Sequence, residues 1–135
     1  MTPRALRTGL VLAGVLLGAG LSVAATSLRP AVLTRIQPGQ WSLRAVDGSA
    51  PTRSVCVADP STLVQLRHPN TACTRFVLDD GASAGTVHYT CPGHGHGQTT
   101  IRVETSALIH IDSQGISDNA PFNMSIEARR LGACR

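Results

Sequence analysis

The stretch PFNMSIEARRLGAC, Pro121 to Cys134, carries the reading of the fold. Phe122, Met124, Ile126 and Ala128 alternate with Asn123, Ser125, Glu127 and Arg129, the period of a strand with one buried face. The strand runs through Arg130, Leu131 and Gly132 to Cys134, one residue from the end of the sequence. A cysteine there predicts that the last strand is tied back to the body. The rest reads as a sheet that this strand completes and disulfides lock.

Working backwards, Thr99 to Ile111 alternates along its whole length. That is long for one strand, given a usual ~5–6 residues. A hairpin with a three-residue loop, Thr105 to Ala107, would pair Val103 with Ile109 and Ile101 with Ile111 and keep the apolar face together. Ser113 to Ala120 reads as the loop before the last strand. Cys73 to Leu78 and Gly85 to Cys91 flank an Asp-Gly turn segment, a second hairpin. In its second strand Val87, Tyr89 and Cys91 share a face.

Nearer the start, Gln40 to Val46 is a strand with Trp41, Leu43 and Ala45 on one side. Asp47 to Pro51 is a turn cluster. Arg53 to Ala58 is a strand with Val55 and Val57 on one face and Cys56 and Ala58 on the other. One short helix follows. Asp59 suits its N-cap and Pro60 its first position, while Pro69 limits it at about His68. Leu63, Leu66 and Arg67 fall near one face. The expected fold is therefore all-β. An antiparallel meander of about seven strands forms a curved sheet or half-barrel, with one short helix and two disulfides. An open half-barrel and a closed small barrel both fit.

The sequence begins with Arg4 and Arg7, then an uncharged run from Gly9 to Leu21, then small residues around Ala24 and Ala25. This is the pattern of a cleaved secretory signal peptide, residues 1–25. An uncleaved membrane anchor is the alternative, but the apolar run is shorter than the ~20 residues that a spanning helix needs. Residues 26–38, with Pro30 and Pro38, read as a linker, and residues 39–135 as one exported β-domain, periplasmic or secreted. No stable membrane span is expected after cleavage.

The 12 basic residues face 8 acids, and two of the arginines lie in the leader. No arginine cluster is interleaved with aromatics, so nucleic-acid binding is not expected. Cys56, Cys73, Cys91 and Cys134 read as two disulfides in an exported small domain. Three connectivities are open, of which the sequential one, Cys56–Cys73 and Cys91–Cys134, is preferred. No Cys-x-x-Cys motif points to a thiolate metal site.

Several motifs weigh chemistry against plain structure. Gly81-Ala82-Ser83-Ala84-Gly85 fits the nucleophile-elbow spacing, but joins two strands where that motif needs a strand followed by a helix. Asp79 and Asp80 sit where turns favour Asp. Arg129 and Arg130 are adjacent on a strand, so they point to opposite faces and cannot form one fork. Trp41 reads as core. His94 and His96 lie in the Gly-rich stretch Gly93 to Gly97. Two imidazoles two residues apart share a face in an extended segment, and Zn or Cu is their natural ligand. A solvated loop is the plainer reading of the same residues.

Gly39-Gln40-Trp41 opens the first strand, cysteines mark the second strand and both ends of the Cys73–Cys91 hairpin, Gly93 to Gly97 follows Cys91, and the chain closes on Arg129-Arg130-Leu131-Gly132-Ala133-Cys134. In these features the chain resembles the bacterial domain-of-unknown-function family numbered 3617, small exported proteins with such a cysteine frame. The resemblance covers about Gln37 to Arg135. It implies an envelope location and a domain that stands alone. It carries over no catalytic or binding residues, and the His94 and His96 pair departs from it. The function expected is a non-enzymatic binding or envelope-associated module without a cofactor. It would take an apolar small molecule or an envelope protein on the concave face of the sheet. The alternative is a metal-binding protein acting through His94 and His96.

Overall fold

The computed structural model describes residues 29–135. The expected leader, residues 1–25, lies outside the described residues. Seven strands form one antiparallel sheet: β1 Gly39–Ala45, β2 Arg53–Val57, β3 Thr74–Asp80, β4 Ala84–Cys91, β5 Gly95–Thr105, β6 Leu108–Ser117 and β7 Ala120–Gly132. Their order is β2-β1-β7-β6-β5-β4-β3. This is an up-and-down meander in which the first strand pairs with the last. One rung is missing: β2 and β3, consecutive in sequence, are the two free edges. The sheet is an open half-barrel, which resolves the choice that alternation left open.

The concave face is built as the periodicity predicts. Trp41, Leu43 and Ala45, then Val87, Tyr89 and Cys91, and Ile101, Val103, Ile109 and Ile111 are all buried. Along β7, Ala128 is buried, while Phe122, Met124 and Ile126 are half-buried. Trp41 is fully enclosed, with its indole N–H donating to the Gln37 carbonyl at 3.0 Å.

Two 3-10 helices plug the trough. The second, Pro60–Gln65, starts as expected: Asp59 caps it by accepting from the Ser61 N–H at 2.9 Å. It is a 3-10 helix without a single apolar face, because Leu63, Val64 and Gln65 are buried in succession. A segment sunk between a curved sheet and its own edges meets neighbours on several sides. The first, Ala31–Arg35, falls where a linker is expected. Val32, Leu33 and Ile36 are core residues, and the Ala31 N–H is held by the Asp80 carboxylate, so this segment belongs to the domain.

Two turns differ from expectation. Val103 pairs with Ile109 and Ile101 with Ile111, as expected, but Thr105 also pairs with Leu108. A bulge after Val103 absorbs the odd residue, leaving a two-residue turn. The segment Ser113 to Ala120 is not a loop. β6 runs through Ser117, and the chain reverses at Asp118 (φ 49°) and Asn119 (φ 66°). Positive φ at both central positions is the hairpin turn that matches strand twist.

The disulfides are Cys56–Cys134 and Cys73–Cys91, which corrects the sequential pairing. Cys56 and Cys73 are the nearest cysteines in sequence, but they sit on or beside opposite edges of the sheet. Gln40 of β1 is opposite Cys56 on one side and Gly132 on the other, so the first bridge reaches over β1 from β2 to the end of β7. Thr74 pairs with Thr90, which places Cys73 beside Cys91. Each bridge therefore clips one edge strand to the sheet. No helix among the described residues is long and apolar enough to cross a membrane.

Candidate functional site

Where β2 and β3 fail to meet, a cleft of about 460 Å³ opens between the two edges. Val55 and Val57 of β2 form one wall, and Leu63 and Leu66 of the second 3-10 helix form its floor. Arg53 and Arg75 line it from opposite edges. Arg75 lies opposite Tyr89 on β3, at the parity of inward-facing Cys73 and Val77, so the strand itself turns its guanidinium toward the trough.

Gln65 aims that guanidinium. Its amide nitrogen donates to the carbonyls of His68 (3.0 Å) and Thr71 (2.9 Å). Its oxygen is thereby left to accept from Arg75 Nη2 at 2.7 Å. Gln65 is buried, so this orientation is set by its surroundings. Arg75 Nε is also buried and has no hydrogen-bond partner among the described residues. No acidic residue lines the cleft.

Deeper in the trough lies a buried polar layer. His68 Nε2 donates to the His94 carbonyl at 3.1 Å, which in a neutral ring makes Nδ1 the acceptor for the Tyr89 hydroxyl, also at 3.1 Å. Thr99 Oγ1 donates to the Val64 carbonyl at 2.6 Å, so the Ser113 hydroxyl donates to Thr99 at 2.7 Å. Burial pushes the Tyr89 phenol above its ordinary range, against the opposing influence of the nearby Ser113 hydroxyl and the positive charge of Arg67. Phe122 closes the layer with an edge contact to His68, and Arg67 lies over its ring. The layer is internally paired and fixes the helix to the sheet.

His94 and His96 have different neighbours. His94 is in the turn before β5, exposed, 3.6 Å from the Asp118 carboxylate. His96 is on the convex face of β5, its ring centroid 5.9 Å from that of His88. The Gly-rich stretch is mostly strand, with Gly95 and Gly97 turned toward the trough. Among the described residues, no three His, Cys, Asp or Glu side chains gather into a group that could hold a metal ion.

Ser83 is exposed at the tip of the β3–β4 hairpin, in a strand–turn–strand setting. Asp79 and Asp80 end β3. Arg129 faces outward and pairs with Glu127, while Arg130 turns inward and donates to the Pro38 carbonyl, so the two point apart as expected. The four cysteines are all consumed in bridges. Arg75, Gln65 and the His68–Tyr89 pair are the residues that sequence reasoning passed over. The available signal was an arginine at the apolar parity of the third strand. Family models, curated proteins and solved structures were each compared with the chain, and none matched.

Proposed function

We propose that this chain is an exported, non-enzymatic binding domain that holds a small molecule of apolar or mixed character in the cleft between β2 and β3. The observation that carries this reading is the cleft itself. It is a concavity of about 460 Å³ with apolar walls and a few convergent polar groups, at the place where a barrel would otherwise have closed. Two disulfides support an oxidising compartment, in keeping with the leader pattern of residues 1–25. An envelope module of the kind the family numbered 3617 represents fits the same picture.

The test is titration of the oxidised protein with neutral phenylnaphthylamine, whose fluorescence rises in apolar surroundings. The chain is produced with its N-terminal segment intact and recovered as the cell processes it. Saturable enhancement at one site is expected, and Val55→Trp, which fills the cleft from β2, should abolish it. Failure of the wild type to bind, or binding that survives Val55→Trp, refutes the reading.

A further inference from the structure

Arg75 poses a problem that the fold does not solve. A guanidinium carries five N–H donors, and its best partners are planar anions engaged two bonds at a time. In this structure one nitrogen donates to a neutral amide, the Gln65 oxygen, and the Nε–H is buried and unpaired. Leaving a buried donor of a charged group unmatched is costly, and such groups in native proteins have a reason. The lining contains no Asp or Glu, and the carboxylate whose charge reaches Arg75, that of Asp59, is itself engaged by Ser61 and Arg29. Across the opening Arg53 adds a second positive charge. It is exposed and enters no ion pair among the described residues. Between the two arginines Val55, Val57, Leu63 and Leu66 contribute apolar lining, with Thr62, Gln65 and Asn70 beside them.

From this arrangement we infer that the cleft takes an anionic amphiphile, its carboxylate head on Arg75 and its hydrocarbon body against the valine and leucine walls. The inference rests on the cleft reading above and names the chemical class that the cleft selects. Gln65 is the positioning residue: tied at its nitrogen to two carbonyls, it holds the guanidinium at the cleft wall. Arg53, on the exposed rim, adds attraction more than geometry.

The experiment is displacement of bound phenylnaphthylamine by dodecanoate and by dodecanol, two ligands with the same chain and different heads, kept below the concentrations at which they self-assemble. The wild type should prefer dodecanoate by about tenfold or more, the worth of one good charged hydrogen-bond pair. Arg75→Gln should erase the preference for dodecanoate over dodecanol. Arg53→Gln should reduce it by roughly threefold and weaken its salt dependence. Because Arg53 is exposed, this second variant keeps the test decisive if Arg75→Gln does not fold. Equal displacement by both ligands overturns the assignment of class and leaves the cleft reading standing. A preference untouched by both substitutions also overturns it. Absence of probe binding in the wild type removes both readings together.

Discussion

Tyr89 is the only tyrosine in the chain, fully buried, with its hydroxyl on the His68 ring. Replacing it by Phe keeps the ring and removes the hydroxyl, so His68 Nδ1 is left buried without its partner. The expected loss is about 1–3 kcal/mol in urea unfolding. Its folded pKa is raised, so the folded state holds the phenolic proton more tightly than the unfolded chain does. Stability from this group is therefore complete below the unfolded value of 10.0 and is lost as pH rises from there through the folded pKa. Wild-type stability should fall above that pH with a slope that Tyr89→Phe lacks. A flat wild-type profile would show that the phenol is not shielded. None of this was visible in the alternation of β4, which places Tyr89 on the inner face but says nothing of its partner 21 residues away.

At the scale of elements, the apolar strands were legible and the small-residue strands were not. β5 and β6 meet along Gly95, Gly97 and Thr99 facing Ser117, Gly115 and Ser113. These inner positions are small or polar because they face Tyr89, His68 and each other. They leave no hydrophobic period, so the segments read as loops. Gly97 and Gly115 mark the difference physically. A Cβ at Gly97 would lie 2.5 Å from the Tyr89 oxygen, and one at Gly115 would lie 2.1 Å from the His96 carbonyl oxygen. Gly93, in a true turn at φ +80°, has nothing within 4 Å of its Cβ position. Gly115→Ala should then cost about 3 kcal/mol or more, since backbone must move. Gly93→Ala should cost only the left-handed strain of about 1–2 kcal/mol. Equal urea midpoints for the two variants would contradict the strand assignment. The second 3-10 helix shows the same limit. Its Asp59 cap is local chemistry and was readable, whereas the succession of buried residues depends on walls contributed by distant strands.

Over the whole molecule, the free edges explain the disulfides. β2 is five residues long and β3 carries a bulge after Val77, both features that blunt an edge. Each edge is then clipped by one bridge. Cys56–Cys134 closes a separation of 78 residues and Cys73–Cys91 one of 18. In the loop-entropy model the longer closure stabilises by about 1 kcal/mol more. Paired serine replacements at 56 and 134 should therefore lower the unfolding free energy more than replacements at 73 and 91, and peptide mapping without reductant should recover these two linked pairs. The reverse order, or sequential pairs, would show that the sheet closes differently.

Strand faces, the helix cap, the β5–β6 pairing and the four-cysteine frame all rest on interactions between near neighbours, so they can be read from residue order. Which cysteines join, where the sheet stays open, and which arginine turns toward the resulting cleft depend on β1 meeting β7 and on β2 not meeting β3. Those contacts unite residues far apart in the chain, and no local period encodes them.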